Sequence, residues 1–343
     1  MQRNFLYILF LILIAAGAYA GPYTEIGIDG YIGDDYKHAN PLSDADAEIN
    51  PIFRGWAKDY VNYLPADTVW LGTDMQPYPW NTPSNALNEA SGDFIDIVSL
   101  GDLDAAEISQ GKKPGEITLI FGNPQIENDS NHIRNVKGYD FAVFENGGNG
   151  VFAELAFVEV SSDGINFARF PAISLTEGLQ GGYGEIDVTD VYNLAGKHAN
   201  FGGICTGTPF DLSELADEPN VVNGLVDVNN ICFVKIVDIP GSGDFFDSLN
   251  HPIFDAWLTY GSGGFDLEAI GSLNEQQYSA DINLDGIVNG EDFSLFISAW
   301  MSSFGDVNWI GRCDLAMPKD DHIDFRDYSV FASQWHKKEL WRE

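Results

Sequence analysis

The sequence predicts a mainly β chain in which one large β-sandwich is followed by a small all-α, calcium-binding unit. Three observations predict it. Short alternating apolar runs recur between Gly, Pro, Asn and Asp turns from residue 94 to residue 270, and 36 glycines interrupt longer helical periodicities. An acidic loop at 281–292 spaces its oxygen side chains as a hard cation requires. That loop and the apolar stripe after it recur 35 residues further on.

At the N-terminus, Arg3, an apolar run at 5–16 and the small-residue site Ala18-Tyr19-Ala20 read as a signal peptide over 1–20. The run is shorter than the roughly 20 apolar residues of a membrane helix. The mature chain is therefore expected to begin at Gly21, to carry no membrane span, and to be secreted to the extracellular space or cell surface. The 52 acidic and 17 basic residues give a net charge of −35. Such a surface repels phosphate backbones and excludes nucleic acid as a partner.

Residues 21–275 are assigned to the sandwich. Residues 51–63 read weakly as a helix. Residues 94–98 alternate as a strand does, and 116–121 follow after a Gly/Lys/Pro break. Residues 139–144 end at Asn146-Gly147. Residues 152–160 run through Ser161-Ser162-Asp163-Gly164 into 167–170, a hairpin with an Asp-Gly turn. Residues 231–239 and 265–270 are further strands. Export permits a Cys205–Cys232 disulfide; buried free thiols are the equal alternative, since Cys232 sits in a strand-like run. Cys313 is the third cysteine, and no zinc or redox spacing joins the three.

Motifs for chemistry are sparse. There is no G-x-S-x-G, no H-E-x-x-H and no phosphate-cradling loop. Glu145 and Glu154 flank a glycine loop and would make a hydrolytic pair if they faced each other; with 52 acids, some pair meets that distance by chance. The segment 243–257 gathers Asp244, Asp247, His251 and Asp255 around Trp257. It reads as a polar-ligand or cation loop, or as a loop pinned by its own aromatics with solvated acids. Trp80, among prolines and near Trp56, Trp70 and Tyr78, reads as a sugar-stacking platform or as plain packing.

The first acidic loop places Asp281, Asn283, Asp285, Asn289 and Asp292 at positions 1, 3, 5, 9 and 12, with the Ile287 carbonyl at 7 and Gly286 at the turn. In the second copy Asp320, His322 (through its carbonyl), Asp324 and Asp327 take the corresponding positions. Asp314 supplies the first ligand after an insertion of about two residues, and Asp321 replaces the turn glycine, which weakens this site. Each loop runs into a helix. Phe293, Phe296, Ile297 and Trp300 form one apolar face, and Tyr328, Phe331 and Trp335 the other. Only Tyr278-Ser279-Ala280 precedes the first loop, so each repeat is half an EF-hand. The unit spans 279–336, with 337–343 as a tail.

Duplicated half-EF-hands with the pattern D-x-N-x-D-G-x-V-N-x-x-D resemble dockerin type I modules. That resemblance implies Ca2+ as the cofactor and docking onto a cohesin-like or surface protein. Its partner contacts would fall on Gly290-Glu291 and Phe325-Arg326, which differ between the repeats. FVEVSSDGINFARF at 157–170 and GGFDLEAIG at 263–271 resemble strands of discoidin-type and carbohydrate-binding jelly rolls. The order of NALNEASGDFIDIVSLG, GYDFAVFENG, FAELAFVEVSSDG, DSLNHPIFDAW and GGFDLEAIG resembles secreted bacterial cell-surface proteins. Together these imply a non-catalytic jelly-roll-like sandwich that recognises a glycan or surface ligand. Trp80, Asp247, His251, Asp255 and Trp257 are the candidate contacts. The alternative is an extracellular glycosidase or lyase carrying the same module.

Overall fold

The computed structural model describes residues 21–67, 79–126, 129–147 and 152–342. The expected signal segment, Trp70 and Tyr78 lie outside them.

Two curled antiparallel sheets make up the main body. In the first, the order is Ile28–Asp29, Thr206–Phe210, Phe141–Glu145, Asp266–Leu273, Phe53–Trp56, with Val98–Ser99 also pairing with Asp266–Leu273. In the second, it is Ala168–Arg169, Ala156–Ser161, Phe233–Asp238, Glu116–Ile120, Asp59–Leu64. Neighbouring strands are mostly distant in sequence, so hydrophobic alternation rather than local turns sets the register. The Asp-Gly hairpin is the exception: Ala168 opposes Val160 and Arg169 opposes Glu159.

Alternation decides what each face buries. Phe141 and Val143 of the first sheet meet Ile117, Leu119, Val158, Val160, Val234 and Ile236 of the second in one core. Phe141, Phe170 and Phe210 are fully buried within it; each such ring contributes roughly 2–3 kcal/mol by leaving water. Ala142 and Phe144 point the other way. They pack under Phe53 and Trp56 in a second cluster that also takes in Leu284, so the first sheet is covered on both faces.

Residues 51–63, expected to be helical, instead form the strands Phe53–Trp56 and Asp59–Leu64. Tyr60 and Tyr63 pack against the main core from there, and strand pairing overrides a weak helical pattern. Of the alternating run at 94–98, only Val98 belongs to a strand; Phe94 and Ile95 are exposed. The Cys205–Cys232 disulfide is not formed: all three cysteines are buried free thiols. Among the described residues no helix is long and apolar enough to cross a membrane.

Beyond the sandwich, the helices Gly290–Ser298 and Phe325–Gln334 pack face to face, with Phe296 and Phe331 stacked at 5.2 Å. These rings occupy equivalent positions in the two repeats, and the backbone repeats with them. Val288 N donates to Lys337 O and Ile323 N to Ser302 O, both at 2.9 Å. His336 N donates to Val288 O and Met301 N to Ile323 O, both at 3.0 Å. Met301 and His336, also 35 apart, share a positive φ of 63° and 61°. The expected tail is no loose end. Glu339 is buried and accepts from Gln277 N and Tyr278 N. The Trp341 indole donates to Glu275 O at 2.9 Å.

Candidate functional site

The two acidic loops share one scaffold. Asp281 Oδ2 accepts from Gly286 N at 3.0 Å, and Asp314 Oδ2 from Asp321 N at 3.1 Å, across the two-residue insertion. Asp292 Oδ1 accepts from Ile282 N and Asn283 N, as Asp327 Oδ1 does from Leu315 N and Ala316 N. Asn289 and Asp324 cap the following helices in boxes closed by Asp292 and Asp327. Gly286 has φ 90° and Asp321 φ 57°, so the replaced glycine adopts the same left-handed turn at greater cost.

Asp281 Oδ1 and Asp314 Oδ1 are the matching atoms left over: both are buried without a hydrogen-bond partner. Burial, then Asp292 and Asp285, push the Asp281 carboxyl well up, and burial lifts Asp292 to about 6. Asp285 is raised by burial as well; its oxygens accept from Ile287 N at 2.8 Å and from the Asn283 amide at 2.9 Å. In the second loop Asp320 pairs with Arg326, and His322 Nδ1 lies 2.9 Å from Ser303 Oγ. Among the described residues no three His, Cys, Asp or Glu side chains are gathered into a ready metal shell. The first loop's donor set would be completed by the Asn283 and Asn289 amides and the Ile287 carbonyl. An orphaned, buried carboxylate oxygen in each loop is what an oxygen-ligated cation would satisfy, so the residues fit Ca2+.

The segment 243–257 spreads its polar groups. Asp247 is buried and holds its own loop, accepting from Leu249 N, His251 N and Ser174 N, with His251 Nδ1 at 3.0 Å. Asp255 is buried beneath Leu155 N at 2.7 Å. Trp257 is half-buried and its indole donates to Leu103 O at 2.9 Å. Trp56 is buried in the sandwich. Trp80 is different: it lines the main cleft.

That cleft has a volume of about 780 Å3. Its rim is aromatic, with Trp80, Phe94, Phe152, Tyr183, Phe201 and Tyr260 along it, and Tyr183 is 94% exposed. Its base is acidic: Asn146, Gly147, Glu154 and Asp266 line it, and the two acids are buried. Glu145, on the same face of its strand as Phe141 and Val143, ends the sandwich core beside them. The pairing between its strand and Asp266–Leu273 loses register between Leu267 and Ala269, beside Glu145, and such irregularities re-aim side chains.

Burial pushes Glu145 and Glu154 well above the ordinary carboxylate range, and each is raised further by Asp266 and Asp255. Asp266 rises to about 8 by burial, against the Ser99 and Ser262 hydroxyls. Glu145 and Glu154 were singled out in the sequence as flanking a glycine loop; both are buried, and Glu154 lines the cleft. Asp266, Tyr183, Phe201 and Tyr260 were not singled out. The acid opening GGFDLEAIG was a usable signal, because a carboxylate at the start of a fully buried strand needs an explanation. The three rim aromatics lie in loops whose approach no spacing encodes. Set against protein-family models, curated protein sequences and solved structures, the chain matches none of them.

Proposed function

We propose that this chain is an exported, non-catalytic binding protein: a jelly-roll-like sandwich whose cleft takes a glycan, carried with a calcium-dependent, dockerin-like module that anchors it to a cohesin-like or surface protein. The observation that carries the reading is the cleft rim. Sugar rings stack on exposed aromatic faces, and Tyr183, Tyr260 and Phe201 are 94%, 63% and 52% exposed around one opening. The base supplies the few polar groups that orient a ligand in such pockets. Support for the anchoring half is the repeated loop scaffold with its two orphaned carboxylate oxygens.

Screening the full chain against a polysaccharide panel, followed by calorimetry on any hit, tests the cleft. Tyr183→Ala and Tyr260→Ala are each expected to weaken binding at least tenfold, the effect of about 1.4 kcal/mol. Unchanged affinity in both variants would remove the cleft from consideration.

A second reading, a glycosidase or lyase, draws on Glu154 and Asp266 at the cleft base, where burial pushes Glu154 well above the ordinary carboxylate range and Asp266 to about 8. Release of new sugar ends from a bound polysaccharide, abolished in Glu154→Gln, would favour the enzyme over the binding protein.

A further inference from the structure

Each acid beneath the cleft has at least one buried oxygen without a hydrogen-bond partner. Glu145 is fully buried and neither Oε1 nor Oε2 meets a donor; Glu154 Oε1 and Asp266 Oδ1 are in the same condition. Other buried acids of this fold are well supplied. Glu268 accepts from Ser91 N, Gly92 N and the Asn200 amide. Asp140 accepts from Val136 N and Leu212 N. Asp255 takes Leu155 N. Among the described residues the other buried carboxylate oxygens without a partner are Asp238 Oδ2 and those of Asp281 and Asp314 in the acidic loops, and a buried carboxylate without donors calls for an ion.

Gly147 keeps room for one. A Cβ there would stand 2.7 and 2.9 Å from Glu145 Oε1 and Oε2, and 2.7 Å from the Phe152 carbonyl oxygen. Those neighbours are all oxygens, the donor type that hard cations take and that zinc or copper sites rarely use alone. The strongest charges acting on Glu145 come from Asp266, Glu268 and Asp255, all of one sign.

We propose that Glu145, Glu154 and Asp266, with the Phe152 carbonyl, form a site for a hard divalent cation at the base of the cleft, separate from the two acidic loops. The irregular set of carboxylates and a carbonyl suits Ca2+, which accepts six to eight oxygens in flexible geometry, better than Mg2+. The three side chains are not yet gathered into a closed shell; a divalent charge draws them in against their mutual repulsion. Water or a ligand hydroxyl in the cleft completes the shell. The inference stands whatever the cleft binds.

Equilibrium dialysis against Ca2+ at neutral pH tests it on the full chain. A variant with both loops disabled, Asp285→Ala with Asp320→Ala, is expected to retain about one equivalent of Ca2+. Adding Glu145→Gln, which removes the charge and keeps the shape, is expected to abolish that equivalent. Adding Gly147→Ala instead, which fills the space beside the carboxylate, is expected to weaken it at least tenfold. A loop-disabled chain that binds no Ca2+ overturns the proposal, as does an equivalent that survives both additions unchanged.

Discussion

Single atoms separate the working acids from the solvated ones. Most of the 52 acidic residues need no account beyond solubility. Asp281 does, because it is buried with Oδ1 unpartnered while Oδ2 holds the turn at Gly286. Asp281→Asn keeps the shape and removes the buried charge. Without metal that relieves a desolvation cost, so the variant is expected to melt at or above the wild-type temperature in chelator. With Ca2+ it loses a charged ligand and is expected to forfeit most of the wild-type gain in melting temperature. A wild-type response to Ca2+ in this variant would show that the loop does not bind through Asp281. Asp320 sits in a weaker position, already paired with Arg326. Asp285→Ala is thus expected to diminish the Ca2+ response more than Asp320→Ala, read by the same melts.

Elements were legible where one period repeated and illegible where contacts from afar decided. The strands Glu116–Ile120, Phe141–Glu145 and Phe233–Asp238 lie within two residues of their expected bounds, because their alternation reflects real faces; Ala156–Ser161 begins four residues late. Residues 51–63 misled because Tyr60 and Tyr63 mimic a helical stripe while serving strand packing. The duplicated helices were readable as a repeat, since Phe296 and Phe331 recur at a fixed spacing and stack on each other, although Trp300 and Trp335, expected on the same faces, lie beyond the helix ends. The cleft was half readable: Glu145 and Glu154 are close in sequence, whereas Asp266 and Tyr260 come from more than 100 residues away. Phe296→Ala should cost about 3–5 kcal/mol, as large-to-small changes do in closed cores. Far-UV circular dichroism on heating would register it as an early loss of helix; an unshifted transition would mean that the helix pair does not depend on this contact.

The whole molecule ties its two parts together through Leu284. This residue belongs to the first acidic loop yet lies in the cluster of Phe53, Trp56 and Phe144 under the first sheet. The Asn50 amide reaches its carbonyl at 3.4 Å, and Lys37 pairs with Glu291 at 3.3 Å nearby. Loop closure and sandwich packing are therefore coupled. Leu284→Ala is expected to destabilise by about 2–5 kcal/mol and to lower the melting temperature of the sandwich as well as of the helix pair. Separate melting, with the sandwich unaffected, would show the two parts to be independent.

Acid burial sets the pH response of the whole chain. Asp292 is raised to about 6, Asp102 and Asp140 to about 7 and Asp266 to about 8, in each case chiefly by burial. In the unfolded chain the same carboxyls titrate near about 4. Between those values the folded state holds protons that the unfolded state has released, so stability falls as pH rises. Their contribution is complete below about pH 4 and is lost as pH passes through 6 to 8. Asp163 runs the opposite way: hydrogen bonds from Asn166 and Ile165 outweigh its burial and hold it down to about 2. Its contribution is lost only as pH falls from about 4 toward 2, outside the window of the raised acids. In chelator, melting temperature is therefore expected to decline steadily from pH 5 to pH 8. Saturating Ca2+ reverses part of that decline, because a bound cation stabilises the ionised carboxylates of Asp281 and Asp292 against the burial that raises them. The gap between the two melting curves should widen with pH. Parallel curves, or a melting temperature that climbs between pH 5 and pH 8 in chelator, would show that these carboxyls are ionised in the folded chain without a cation.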